Sequence, residues 1–197
     1  MSPTAVRRST IVLGGIAIFQ AAVIAIFHDV FLRPLAANLD RTSWYAWALG
    51  AVVAVAYVTY SIRGLPIIGT LLWKISAFKL MGLVVALPAA ILEEVFFRGY
   101  LMDVLATTPV AVQIGASALS FGLAHVVWGI RGGPRAMLAA VGSTTLMGAA
   151  LAVVYLASNR VILPCVIAHF IITLALEPWL MYAYVERAEQ RGERSAA

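Results

Sequence analysis

Residues 79–105 read KLMGLVVALPAAILEEVFFRGYLMDVL, an apolar run that carries Glu93, Glu94 and Arg98 near its middle. About 20 mostly apolar residues suffice for a helix to cross about 30 Å of hydrocarbon, so the run predicts a membrane span. Ionisable side chains within a span are costly unless paired or turned to water, which makes each a candidate functional group. Fold and chemistry are therefore read from the same few residues.

The rest of the chain agrees with a membrane protein. Of its 197 residues, 62% are hydrophobic and 12% charged, against about 45–50% and about 25% in soluble domains. Such a surplus leaves too little polar surface for a water-soluble body, and excludes a disordered chain, a nucleic-acid-binding domain and a soluble enzyme. The net charge of +5 does not imply nucleic acid, because the cations lie between apolar stretches, as membrane proteins place them. One cysteine, Cys165, excludes a disulfide within the chain and a cysteine-based zinc cluster.

Six spans are predicted, near 10–27, 44–62, 79–105, 110–128, 136–156 and 161–184. The first follows Arg7-Arg8 without a small-residue cleavage site and reads as an uncleaved anchor. Between the first two spans His28 to Ser43 reads as a polar stretch broken by Pro34; after the second span Arg63-Gly64-Leu65-Pro66 ends the helix, and the segment up to Lys74 reads as interfacial. The expected fold is all-α: a polytopic bundle of about six transmembrane helices with the site inside it. A single domain covers 1–197, with a motif core near 85–175 and a charged tail at 186–197. With both termini inside, the inner segments hold ten cations: Arg7, Arg8, Arg63, Lys74, Lys79, Arg131, Arg135, Arg187, Arg191 and Arg194. Three lie outside: Arg33, Arg41 and Arg160. This positive-inside bias predicts cytoplasmic termini.

Helical geometry sorts the intramembrane groups. Glu94 and Arg98, four apart, share a face and can pair. Glu93 is turned by about 100° from Glu94 and can address another helix. His125 in the fourth span lies about as far as Glu93 from the turn at Thr107-Thr108-Pro109. His169 in the sixth span comes out shallower by about 10 Å, a mismatch unless the turns differ in height. Gly115, Ala118, Gly122 and His125 share one face, and either a cavity or close helix packing accounts for the small residues. Glu177, before Pro178, reads as a solvated carboxylate near the inner surface, and Cys165 as packing.

Glu93-Glu94-Val95-Phe96-Phe97-Arg98, then Phe121 to His125, then His169 resemble in order the motifs Glu-Glu-x-x-x-Arg, Phe-x-x-x-His and His-x-x-x-Asn. These belong to the CAAX protease and bacteriocin-processing family of intramembrane proteases, which includes the Ras-converting-type enzymes. The resemblance implies that Glu93 is the catalytic glutamate and His125 its partner in activating a water. It also implies that His169, with the residue four beyond it, faces the oxyanion. Glu94, Arg98 and Thr173 are then supporting residues. The sequence departs from the family at Thr173, where Asn is common; a hydroxyl donates one hydrogen bond and reaches less far than an amide.

Two histidines and a glutamate can ligate zinc with one position open. No His-Glu-x-x-His is present, and the reading favours no cofactor and no metal. The implied activity is hydrolysis of a peptide bond in a membrane-associated protein or peptide, by an enzyme of the glutamic type. Membrane lipid and that substrate are the partners, without nucleic acid, and the expected home is a bacterial inner membrane. The alternatives are a non-catalytic immunity or scaffold protein that keeps the fold, or a proton or ion carrier.

Overall fold

The computed structural model describes residues 3–130 and 133–196. All regular structure in them is helical: α1 (Pro3–Ile26), α2 (His28–Ala36), a 3-10 turn (Leu39–Arg41), α3 (Trp44–Gly64), α4 (Pro66–Leu71) and α5 (Ala77–Glu94). A π-helical segment (Val95–Met102) continues α5, followed by α6 (Val110–Ala124), α7 (Val127–Ile130), α8 (Pro134–Ala157) and α9 (Leu163–Ala196).

Among the described residues five helices are long and apolar enough to span a membrane: α1, α3, α5 with its π segment, α8, and α9 over Leu163–Tyr182. The fourth predicted span, near 110–128, is shorter than expected. α6 stops at Ala124 after 15 residues, about 22 Å of rise where about 30 Å of hydrocarbon must be crossed. The chain leaves the helix at His125, at φ −91° and ψ 3°, whose ring N–H takes the Phe121 carbonyl at 2.8 Å. Non-helical backbone at membrane depth is tolerated where it lines a cavity or is buried in protein. α6 thus delivers His125 at its own end, inside the bundle.

Further expectations are corrected. The stretch at His28 is helix α2, with Pro34 inside it. Asp29 in its first turn accepts from Arg33 Nε at 2.8 Å, four residues on, a pairing that supports a short helix. Residues 186–196 of the charged tail are part of α9. Arg131, counted above among the inner segments, lies outside the described residues, as do Gly132 and Ala197.

The core forms where α5 packs on α9 and α1, α6 on α8, and α3 on α8 and α9. Large side chains such as Val52, Leu83, Leu87, Leu119 and Leu146 point outward, as lipid-facing positions should. At Ala118 and Gly122 the stripe on α6 serves packing, while Gly115 faces open space. A Cβ at Gly122 would run into the Thr145 hydroxyl and come within 2.8 Å of the Val141 carbonyl, and Gly148 of α8 sits against Ala118. Small residues let the two backbones approach closely, and van der Waals contact holds helices together where lipid is as apolar as their side chains.

The α8–α9 turn explains the apparent mismatch in depth. Asn159 and Arg160 both adopt positive φ, 56° and 63°, a cost that local hydrogen bonds must offset. Ser158 Oγ lies within hydrogen-bond distance of the carbonyls of both Tyr155 and Val161 and shares its one proton between them. The Arg160 guanidinium reaches back to Asp103 at 2.7 Å, Gln113 Oε1 at 2.6 Å and the Met102 carbonyl at 3.3 Å. The turn therefore sits at the level of Met102, not at the Thr108 turn. Met102 is nine residues beyond Glu93 and Arg160 nine before His169, so the two side chains meet.

Candidate active site

At the end of α5 two carboxylates part company. Glu94 is fully buried and accepts from Arg98 Nη1 at 2.6 Å. Arg98, also fully buried, gives Nη2 to the Gly148 carbonyl at 3.0 Å and lays its guanidinium over Phe121, 4.6 Å from the ring centre. The pair lies next to the switch from α to π winding at Val95, a feature that often marks functional positions. Ser117 Oγ donates to the Phe97 carbonyl within that π segment at 3.2 Å.

Glu94 accepts a second hydrogen bond, from His169 Nδ1 at 2.7 Å. A carboxylate already paired with a guanidinium is an acceptor, so Nδ1 carries the proton. In the same way the Phe121 carbonyl can only accept, which places the His125 proton on Nδ1. Both rings therefore present Nε2 to a common point. That point is Glu93 Oε2, 3.5 Å from His125 Nε2 and 3.9 Å from His169 Nε2. Oε2 is shielded and has no hydrogen-bond partner among the described residues. The gaps are longer than a good direct hydrogen bond and too short to hold a water in line, so a water shared by the carboxylate and a ring nitrogen would sit beside them, on the cavity side.

Phe121, marked in the sequence only as the first residue of Phe-x-x-x-His, is a packing hub. Its ring lies 4.5 Å from that of His125 and 5.6 Å from that of His169, edge-on to the latter, and 5.2 Å from Phe97. The Phe-x-x-x-His spacing puts the phenyl ring one helical turn below the imidazole whose N–H its own carbonyl accepts.

The three groups face a cavity of about 510 Å³ that Thr173 also lines, one turn beyond His169. The cavity runs toward the end of the bundle holding Tyr60 and Gly64 of α3 and Ala136 of α8. Glu177 lines it too, and its Oε2 is shielded without a hydrogen-bond partner among the described residues. This corrects the reading of Glu177 as a solvated surface carboxylate. Residues 169, 173 and 177 recur every fourth position and share one face of α9, a periodicity that could have revealed it. Cys165 is buried, its thiol against the Leu151 carbonyl at 3.4 Å. Asp103 is engaged with Arg160 and Tyr155, away from the cavity.

Among the described residues no group of three His, Cys, Asp or Glu side chains is disposed to hold a metal ion. The arrangement can handle protons: an unpaired carboxylate oxygen faces two imidazole nitrogens, each oriented from behind.

Compared with known proteins, residues 75–175 match the family model of the type II CAAX prenyl endopeptidase Rce1-like proteins. No curated protein and no solved structure matches the chain. The matched segment is just over half of the sequence and holds Glu93, Glu94, Arg98, Phe121, His125, His169 and Thr173. The chain is an integral membrane protein that belongs to the Rce1-like type II CAAX prenyl endopeptidase family, a family of intramembrane proteases.

Proposed function

We propose that the protein is an intramembrane endopeptidase of the glutamic type, with Glu93, His125 and His169 as its catalytic residues. The observation that carries the reading is the unpaired Oε2 of Glu93, faced by two Nε2 atoms at 3.5 and 3.9 Å.

A water held between Glu93 and His125 gives a proton to the Glu93 carboxylate as its oxygen attacks the scissile carbonyl. The resulting oxyanion accepts from the Thr173 hydroxyl and from His169 Nε2, the ring entering the reaction as an imidazolium that took its second proton from solvent beforehand and whose Nδ1 proton Glu94 holds; such donors typically contribute about 2.7–4 kcal/mol each. Glu93 then passes its proton to the departing amine as the C–N bond breaks. Glu94 and Arg98 touch no reacting atom; they hold the His169 ring in place.

A zinc alternative would use the same three side chains. What supports the proton-transfer reading is that Glu93 Oε2 stands before the two rings without a hydrogen-bond partner among the described residues.

The substrate is a peptide bond of a membrane-associated protein or peptide. The family name points to prenylated CAAX-ended proteins, and the apolar side chains of Ile16, Leu65, Ile68 and Leu176 in the cavity wall suit a lipid-bearing chain. The positive-inside bias supports cytoplasmic termini in a bacterial inner membrane, which turns the Tyr60–Gly64 end of the cavity to the cytoplasm.

The test is cleavage of a library of membrane-anchored peptides by purified wild-type protein, Glu93→Gln and His125→Ala. Cleavage by wild type with a loss of about 10²–10⁴-fold in both variants is expected. Equal cleavage by Glu93→Gln would overturn the proposal.

A further inference from the structure

From the unused carboxylate of Glu177 we infer that the cavity contains a second subsite, one that binds a cationic group of the substrate: a lysine or arginine side chain. The inference rests on the proteolytic reading for its substrate and goes beyond it in specificity.

Glu177 is not part of the reacting cluster. It stands eight residues beyond His169 on the same face of α9, about 12 Å along the helix, and lines the same cavity. Its Oε2 is shielded from solvent, with no hydrogen-bond partner among the described residues. A second acceptor, Gln20 Oε1 of α1, lines the same cavity and is likewise shielded and unpartnered. No lysine or arginine among the described residues lines the space. Two shielded acceptors in one cavity, one a carboxylate, are costly to leave unmatched. Both lack a donor, and a protonated amine or guanidinium supplies several donors and the opposite charge.

Distance fixes the register. An extended chain advances about 3.3–3.6 Å per residue. A separation of about 12 Å therefore places the basic side chain three or four residues from the scissile bond, on the side leading to the Tyr60–Gly64 end of the cavity. An acid at that position of the substrate would meet Glu177 as a like charge and be rejected.

The experiment uses full-length protein in detergent and lipidated fluorescent peptides that differ in one residue, lysine against norleucine, moved through four positions on each side of the cut. Binding is read by anisotropy on Glu93→Gln protein, where no cleavage interferes, and kcat/KM on wild type. Lysine at the third or fourth position is expected to bind about tenfold tighter than norleucine, a difference of about 1.4 kcal/mol. Adding Glu177→Gln should bring that ratio close to one, and Glu177→Asp should restore part of it. Equal binding of lysine and norleucine at every position, or a ratio that survives Glu177→Gln, would overturn the subsite. Selective binding without cleavage by wild type would sink the protease reading and leave the subsite standing. Cleavage without any preference for lysine would do the reverse.

Discussion

Glu94 Oε1 and His169 Nδ1 lie 2.7 Å apart, joined across 75 positions of sequence. The bond ties the end of α5 to the first turns of α9, and through Glu94 it ties His169 to Arg98. One buried chain, Arg98–Glu94–His169, thus fixes which nitrogen of His169 faces Glu93.

The first prediction concerns the ion pair. Arg98→Met should leave a buried carboxylate uncompensated and cost about 3–5 kcal/mol. Thermal unfolding in detergent checks this. The double variant Arg98→Met with Glu94→Gln should recover much of the loss in stability, because no unpaired charge then remains. If the single variant unfolds at the wild-type temperature, the pair does not stabilise the bundle.

His169 offers a test of orientation. In His169→Asn the amide nitrogen sits near the Nδ1 position, keeps the bond to Glu94 and removes the nitrogen facing the cavity. Unfolding should stay close to wild type while kcat falls by about 10²-fold or more. A His169→Asn protein with undiminished kcat would show that Nε2 takes no part in the reaction.

Thr173 is expected to be an oxyanion donor of limited reach. Thr173→Asn should retain activity or raise it by as much as about tenfold, a modest share of what one such donor is worth. Thr173→Val, nearly the same shape without the hydroxyl, should lower kcat with little change in KM. A Val variant as active as wild type would remove the residue from the mechanism.

Chelation separates the two modes of activating water. Cleavage should continue unchanged in excess EDTA, since the proposed proton transfers use Glu93, His125 and His169 alone. Loss of activity in chelator, restored by added zinc, would replace the glutamate mechanism with a metal one.

Gly122 tests the packing that carries His125. A methyl group there meets Thr145 and the Val141 carbonyl, and overpacking of this kind costs about 1–3 kcal/mol. Gly122→Ala should lower thermal stability and also cleavage, because α6 must draw back from α8 and take His125 with it. Gly115→Ala, on the same face with open space around it, serves as the control and should behave as wild type.

Much of this protein was legible as a line of residues. Apolar runs of about 20 reveal spans because unpaired backbone groups cannot enter hydrocarbon except as helix. Glu93, Glu94, Arg98, His125 and His169 stand out because charge and imidazole are costly there. The i,i+4 spacing was enough to pair Glu94 with Arg98, since that contact lies within one helix.

Tertiary structure decided the rest. The partner of His169, the height of the Arg160 turn and the early end of α6 all depend on contacts between helices distant in sequence. A one-dimensional pattern states which face a side chain occupies and how far along its own helix it lies. It cannot state how one helix is shifted against another, and at this site shifts of one turn or less determine whether two nitrogens and a carboxylate share a point.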